Sequence, residues 1–330
     1  MAGVSIATVS NTFSGKKFVN PDLARKVRQA AETLGYSVDR VASQLRSGRA
    51  RVIAIIVPDL EDELLPQPAP RPDPRAQVAR SLAIVPRSRY FEAFHDTGMR
   101  AVLGWRPAGI IVVPCLNSVA PDLLGVIGDV PIVGVDRIHP STVDFDTVTI
   151  DNYRSGLQAV DYLAQQGAAD VLLAIARRDL HNIQERVRGA QDAAAAKGNI
   201  VLDVVAISSD PAGGACDLSG HLRTRSLPDA IVGVTHGTPL SALSAMAELG
   251  FEAPRNLMLL AWHDSLWMTA RRNPVTTLAQ PVGEVARCAW DRLMARMGGD
   301  TGPGQSLVLA SNLIERASTR VDGRAKATTR

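Results

Sequence analysis

The sequence lacks the features that mark several classes of protein. Its 330 residues include three cysteines (Cys115, Cys216 and Cys288), which lie far apart and form no CxxC or Cys/His spacing. We therefore expect no disulfide framework and no structural zinc, as suits a reducing cytoplasm. No apolar run approaches the roughly 18 residues that a membrane span requires, and the chain starts without the basic and apolar regions of a signal peptide. The expected location is the cytoplasm, without membrane contact.

Common catalytic motifs are also missing. There is no GxSxG nucleophile turn, no GxxxxGK[ST] phosphate loop, no HExxH zinc motif and no glycine fingerprint after the first predicted strand. The sequence therefore predicts no catalytic residues, no enzyme activity and no cofactor.

Positive charge is concentrated at the N-terminus. Residues 1–51 hold nine Lys and Arg against three Asp and Glu, a net charge of +6. The rest of the chain holds 27 basic and 30 acidic side chains, a net charge of −3. A small basic head on a slightly acidic body predicts that the head binds a polyanion.

From residue 52 onward, short apolar runs alternate with amphipathic segments. Near-continuous apolar runs are typical of strands that helices cover on both faces. Three amphipathic segments end in glycine (Gly167, Gly198 and Gly250), which closes a helix in the left-handed conformation at low steric cost. This alternation predicts an α/β fold with parallel sheets. The predicted strands cover 52–58, 109–114, 130–136, 147–151, 170–176, 200–207, 229–236 and 257–264.

Polar residues directly after the predicted strands are the candidates for a binding site. In parallel sheets, ligands lie beyond the carboxyl ends of the strands. The candidates are Asp136, Arg137, Asp151, Asn152, Thr235, His236, His263 and Asp264. Two histidines at adjacent strand ends are compatible with a metal ion, but no third ligand stands at a recognisable spacing, so no metal site is predicted.

The residue pattern of the basic head predicts short helices. Ser5 precedes a helical stretch, and Asn20 caps a second helix whose apolar stripe includes Leu23 and Val27. A third short amphipathic piece follows at residues 39–46.

At these residues the sequence resembles the lac-repressor family of bacterial transcription regulators. The stretch GVSIATVSNTFSG, VNPDLARKVRQAAETLGY, RVASQLRSGR and IAIIVPDL is similar to that family's helix-turn-helix, third helix, hinge helix and first strand of the body. Further along, VGVDR, TIDN, RVRG, NPVTTLAQPVGEVAR and VLASNLIERAST follow the family in order. The resemblance covers nearly the whole chain outside about 61–106.

The resemblance implies a fold and a domain order. The body is expected to resemble a periplasmic binding protein, with two parallel-sheet subdomains preceded by a small all-α helix-turn-helix head and a hinge helix. The expected parts are the head at 1–38, the hinge and linker at 39–50, and an effector-binding and dimerisation domain at 51–330. Within that domain, the N-subdomain is expected at about 51–151 and 279–306, and the C-subdomain at about 152–278 and 307–320.

The resemblance also implies a function. The chain is expected to be a homodimeric repressor that binds double-stranded operator DNA, with its affinity controlled by a small effector such as a sugar, a related polyol or a carboxylate. The implied DNA contacts are Ser5, Ile6, Ala7, Thr8, Ser10, Asn11, Ser14, Asn20 and Leu45. Leu45 is expected to wedge into the minor groove. Taken alone, the small polar residues are more typical of helix caps and turns.

The implied effector contacts lie mainly at the predicted strand ends. They are Asp136, Arg137, Asp151, Arg186, Thr235, His263 and Gln280. Arg186 offers several donors in a rigid fork that suits a polyol or a carboxylate. His236 and His263 stand where the family often carries acidic residues, so the ligand preference is expected to differ.

Two departures from the family leave alternatives open. The sequence starts where the family's second helix starts, so either the true start lies upstream or the product binds DNA poorly. Between about 61 and 106, alternate prolines and dense arginines argue against the family's usual first helix and second strand. Compensated frameshifts or a genuine insertion would both explain this segment. The rival function is a cytoplasmic small-molecule binding protein that has lost operator binding.

Overall fold

In the computed structural model, the described residues are 3–5, 8–9, 11–12, 18–33, 52–58 and 92–320. They separate into two units, residues 1–51 and residues 52–330.

The start of the first unit is helical where the sequence predicts it. Thr8, Val9, Asn11 and Thr12 adopt helical conformation. The Ser5 hydroxyl accepts a hydrogen bond from the backbone N–H of Thr8 at 3.2 Å, the contact that an N-cap serine makes.

The second predicted helix of the head is α1 (Pro21–Thr33). The Asn20 side chain accepts a hydrogen bond from a first-turn backbone N–H at 2.9 Å, which confirms the predicted cap. Val27 and Ala24 are buried, whereas Leu23 is 38% exposed. The apolar stripe therefore runs through Ala24, and its assignment to Leu23 is wrong. The expected hinge at 39–50 lies outside the described residues.

Two separate sheets form the second unit. The first has the order β1-β2-β3-β4-β10, all parallel, and the second has the order β11-β9-β8-β7-β5-β6, with only β11 antiparallel to its neighbour. The strands of the first sheet are β1 (Ile53–Ile56), β2 (Gly109–Val112), β3 (Ile132–Val135), β4 (Asp146–Ile150) and β10 (Ser306–Leu309). Those of the second are β5 (Asp170–Ile175), β6 (Val201–Ala206), β7 (Ala230–Gly233), β8 (Met258–Trp262), β9 (Thr276–Ala279) and β11 (Asn312–Ile314).

Helices follow most of the strands in both sheets, whereas β3 and β4 are joined through a 3-10 turn. The helices are α2 (Glu92–Leu103), α3 (Pro121–Ile127), α4 (Asn152–Gln165), α5 (His181–Lys197), α6 (Pro211–Thr224), α7 (Thr238–Glu248), α8 (Leu266–Thr269) and α9 (Val282–Met297). Short 3-10 turns occur at Pro140–Thr142 and Ala317–Thr319. The three predicted closing glycines, Gly167, Gly198 and Gly250, all have positive φ (88°, 69° and 72°), as expected at helix ends.

Apolar side chains cover both faces of each sheet. In β1, Ile53 packs into one core cluster with Leu293 of α9, while Ala54 packs into another with Met99 of α2. The second sheet likewise has two clusters, one under α4 and α5 and the other under α6 and α7. Burial on both faces explains why these strands read as continuous apolar runs. It confirms the α/β class with two parallel-sheet subdomains.

The first sheet and its helices are the N-subdomain below, and the second sheet and its helices are the C-subdomain. The chain crosses between them after β4, after β9 and after β10. Because β10 extends to Leu309, the last crossing comes a few residues later than the expected boundary near 306. The irregular segment is also shorter than its composition indicates, since Glu92–Leu103 form α2. The rest of it, up to residue 91, lies outside the described residues.

Candidate functional site

Three polar residues at the carboxyl ends of strands have backbone conformations that L-residues rarely adopt. Asp136, Arg177 and His263 follow β3, β5 and β8 and have φ values of 65°, 57° and 67°. A non-glycine residue in the left-handed region costs on the order of 1 kcal/mol, and such residues cluster at functional sites. These strand ends therefore mark the edge where a ligand is expected.

Arg186 lies next to these strand ends. It belongs to the second turn of α5, and only 2% of the residue is exposed. Its Nε donates to Asn152 Oδ1 and its Nη1 donates to the carbonyl of Val234, both at 2.8 Å. The guanidinium also lies 5.4 Å from the centre of the Trp262 ring, at a distance typical of a cation–π contact. These contacts fix the direction of the guanidinium.

Burial lowers the pKa of Arg186 to about 10, with Asp136 opposing the shift and Arg137 adding to it. The side chain remains a cation at neutral pH. Removal of such a charge from water costs free energy, so the buried guanidinium of Arg186 is destabilised relative to an exposed one.

The N-subdomain contributes Asp136 and Arg137, which are both buried. Arg137 Nε lies 3.6 Å from Asp136 Oδ2. Across the cleft, Asn182 Nδ2 of α5 lies 3.4 Å from both carboxylate oxygens of Asp136. Asn182 and Arg186 are four residues apart on one helix, so they share a face directed at this edge. We call Asp136, Asn152, Asn182, Arg186, Trp262 and His263 the cleft cluster.

His263 gives the cluster an uncharged imidazole. Burial lowers the pKa of His263 well below its usual range, and the positive charges of Arg186 and Arg137, together with His236, lower it further. The His236 and His263 rings stand edge to face, with centroids 5.9 Å apart. At neutral pH this imidazole can donate one hydrogen bond and accept another.

Two further predicted residues lie at neighbouring strand ends. Gln280 follows β9 and is buried, and neither its amide nitrogen nor its amide oxygen has a hydrogen-bond partner within the described part of the chain. Thr235 follows β7, and its backbone N–H donates to Thr238 Oγ1 at 2.9 Å. Thr235 therefore lies next to Val234, whose carbonyl accepts from Arg186. The backbone N–H of Thr235 also contacts the first residue of α7.

Asp151 has a local structural contact instead. Its Oδ1 accepts the backbone N–H of Arg154 at 2.9 Å, so it caps α4. It lines a cavity of about 540 Å³ on another side of α4, next to Ser311. Its neighbour Asn152 is the residue that contacts Arg186.

The other strand-end carboxylate is engaged elsewhere. Asp264 accepts hydrogen bonds from both terminal nitrogens of Arg316, at 2.6 and 2.8 Å. This ion pair ties the end of β8 to the chain after β11.

Sequence reasoning missed part of the cluster. Asn152 was a strand-end candidate but was not assigned to the effector, and Asn182 and Trp262 were not assigned at all. The spacing of four residues between Asn182 and Arg186 is the signal that identifies Asn182. Trp262 lies within an apolar run, a pattern that predicts a core residue. The contact at Val234 uses the backbone carbonyl, which the type of side chain does not indicate.

The predicted DNA contacts are only partly described. Ser5 and Thr8 hydroxyls lie 3.0 Å apart, and Asn20 caps α1, so these side chains have local contacts. Asn11 is half-buried. Ile6, Ala7, Ser10, Ser14 and Leu45 lie outside the described residues.

In the described ranges, no three His, Cys, Asp or Glu side chains are grouped to hold a metal ion. Of the helices that the structure describes, none has the length and apolar character needed to cross a membrane.

Known proteins resemble both units. The model of the bacterial regulatory proteins of the lacI family matches residues 1–39, and the model of the periplasmic binding protein-like domain matches residues 160–319. The chain is 26% identical over 322 residues to the HTH-type transcriptional regulator PtxS of Pseudomonas putida, covering 97% of this chain and 94% of that protein. It is 24% identical over 324 residues to catabolite control protein A of Priestia megaterium, covering 97% of each.

Solved structures show the same fold. The lac repressor dimer bound to operator and the anti-inducer ONPF superposes with a TM-score of 0.81 at 20% identity, covering 97% of both chains. The complex of the regulator CelR with cellobiose gives a TM-score of 0.68 at 23% identity, covering 96% of this chain and 97% of that one. The chain thus carries a head of the lacI family of bacterial regulatory proteins followed by a periplasmic binding protein-like domain, in the order that the motifs predict.

Proposed function

We propose that this transcriptional regulator binds double-stranded operator DNA as a homodimeric repressor, and that a small effector in the cleft controls its operator affinity. The effector class is a sugar or a related polyol or carboxylate, and the protein acts in the cytoplasm without a cofactor or a catalytic role. The observation that carries this proposal is the cleft cluster, in which Arg186 and Asp136 converge from the two subdomains. A cellobiose complex of CelR supports a ligand of this kind.

This geometry supports a proposal for the effector contacts. We assign direct contact to Asp136, Arg186, His263 and Gln280, with Arg137 and Thr235 at the margin. Asn152 and Asn182 position Arg186 and Asp136. Because these residues come from both subdomains, a ligand that satisfies them favours one relative placement of the two.

The head supplies the DNA contacts. Its net charge of +6 provides phosphate attraction. Ile6, Ala7 and Asn11 are proposed to read bases, and Ser5, Thr8, Ser10, Ser14 and Asn20 to contact phosphates. Leu45 is proposed to act as a minor-groove wedge.

Selection of bound duplexes from a random library, followed by affinity measurements at several salt concentrations, tests this function. We expect a pseudo-palindromic site and a steep fall of affinity with salt, since each neutralised phosphate releases counterions. Failure to enrich any site, with a slope near zero, would instead indicate a small-molecule receptor that no longer binds operators.

A further inference from the structure

Arg186 is a buried cation whose hydrogen bonds all go to neutral acceptors. Those acceptors are the amide oxygen of Asn152 and the carbonyl of Val234. Among the residues that the structure describes, no carboxylate lies within hydrogen-bond distance of this guanidinium, whose two hydrogen bonds use Nε and Nη1. A buried guanidinium in this state binds an anion more strongly than an exposed one, because water competes less.

The carboxylates near this edge are already engaged. Asp136 has Arg137 Nε at 3.6 Å and the Asn182 amide at 3.4 Å. Asp264 is held in the bidentate pair with Arg316. Neither carboxylate serves as a direct counter-ion for Arg186, so the negative charge that Arg186 favours is left for a ligand to supply.

Arg137, beside Asp136, is a second cation of this edge, and two further buried side chains, Trp262 and Gln280, are uncharged. The indole N–H of Trp262 and both amide atoms of Gln280 are buried and lack partners in the described ranges. Each buried donor or acceptor without a partner costs on the order of 1 to 3 kcal/mol. Hydroxyl groups can donate to or accept from such atoms, so they complement the neutral part of the site.

We infer that the effector is a hydroxylated carboxylic acid of the sugar-acid class, whose carboxylate pairs with Arg186 and whose hydroxyls contact Asp136 and Gln280. This inference rests on the proposed function, since it names the ligand class of the same site. Arg186, Arg137 and Asp136 together carry a net charge of +1, which one carboxylate neutralises, and the fork of a guanidinium matches the planar shape of that group. A phosphate dianion would leave this site with a net negative charge.

The test compares ligands that differ only in this charge. Binding to the purified full chain is measured calorimetrically for a panel of six-carbon aldonates and the matching alditols, with D-gluconate and D-sorbitol as the first pair. We expect at least one aldonate to bind about tenfold or more tightly than its alditol, which is the effect of one charge-assisted hydrogen bond. Equal or tighter binding of the alditols, tighter binding of hexose phosphates, or no binding of any aldonate would overturn the inference.

Two variants and a control locate the effect. Arg186→Gln is expected to bring the aldonate-to-alditol affinity ratio close to one. Arg188→Gln, two residues along the same helix and exposed, is expected to keep the parent ratio. If Arg186→Gln does not fold, Asp136→Asn provides the test. Removal of the nearby negative charge is expected to raise the aldonate-to-alditol affinity ratio. A lowered ratio in Asp136→Asn would contradict the inference.

An operator-release assay separates this inference from the proposed function. If neutral sugars release the operator and aldonates do not, effector control stands and the acidic class is wrong. If aldonates bind but leave operator affinity unchanged, the ligand class stands and the proposed control is wrong.

Discussion

The side chain of Asn117, in the N-subdomain, accepts a hydrogen bond at 2.7 Å from the backbone N–H of His181, the first residue of α5 in the C-subdomain. Asn117 Nδ2 also donates to the carbonyl of Asp179 at 2.9 Å. The His139 and His181 rings are in contact nearby, with centroids 4.3 Å apart. Asn117 thus joins the two subdomains directly beside the helix that carries Asn182 and Arg186.

Asn117→Ala is expected to weaken effector binding by about tenfold. The substitution removes two hydrogen bonds, of about 0.5 to 1.5 kcal/mol each, that hold the two subdomains in the relative placement that the ligand favours. Titration calorimetry measures this change. Ser118→Ala, at the exposed neighbouring position, is the matched control and should bind like the parent. Parent-like affinity in Asn117→Ala would show that these bonds do not contribute to the bound state.

Acidification is expected to destabilise the body. Burial lowers the pKa of His263 well below 6.5, and burial together with His139 lowers the pKa of His181. Because the unfolded chain binds these protons more readily, stability is constant well above pH 6.5 and falls as pH drops below it. Each histidine contributes at most about 1.4 kcal/mol per pH unit.

Urea unfolding between pH 5 and pH 8 measures this slope. His263→Asn should reduce the slope, since asparagine accepts the positive φ of 67° at this position and does not titrate. An unchanged slope in this variant would mean that His263 is not the buried neutral group described above.

Asp146 holds the N-subdomain together through a charged network. It is almost fully buried and accepts hydrogen bonds from Arg296 at 2.8 Å, from Arg292 at 3.0 Å and from the backbone N–H of Gln305 at 2.8 Å. Burial alone would raise the pKa of Asp146, but the hydrogen bonds from Arg296 and Gln305 and the charges of the two arginines lower it below its ordinary value.

Asp146→Asn is expected to cost about 3 kcal/mol in free energy of unfolding, because it removes the buried carboxylate and leaves two largely buried guanidinium groups with the more exposed Asp300 as their remaining carboxylate partner. Denaturant unfolding gives the value. The control is Asp291→Asn, since Asp291 is exposed and pairs with Arg287 at 3.4 Å. Exposed pairs of this kind contribute at most about 1 kcal/mol, so similar losses in the two variants would contradict the role given to Asp146.

Leu45→Ala tests the proposed wedge. Loss of a side chain that unstacks a base step is expected to weaken specific operator binding by a few kcal/mol while leaving binding to non-operator DNA nearly unchanged. Electrophoretic mobility shifts with both duplexes separate these effects. An equal loss on both duplexes would point to misfolding of the head rather than to a wedge.

Much of the body could be predicted from the sequence. All eight predicted strands correspond to β1–β8, because a strand that is buried on both faces consists mainly of apolar residues. The closing glycines likewise located three helix ends. By contrast, β9 is buried but begins with two threonines, and β10 and β11 are partly exposed strands at the sheet edges, so none of the three forms a long apolar run.

The binding site was less predictable than the fold. Arg186 was identified by resemblance, but the start of its helix at His181 was not predicted, so the four-residue spacing that places Asn182 on the same face could not be used. Asp151 and Asn152 are adjacent strand-end residues, and only the structure shows that Asn152 faces the cleft. Which of two neighbours caps a helix and which reaches a partner depends on tertiary packing.

The measurement that tests the central claim most directly is operator affinity with and without effector, in the parent and in Arg186→Ala. With a selected operator and a ligand from the panel, the parent's affinity should change by about 5- to 150-fold, the range of a coupling free energy of 1 to 3 kcal/mol. Arg186→Ala should bind the operator with one affinity, whether or not effector is present. An effector shift in Arg186→Ala equal to that of the parent would contradict control of DNA binding through this site.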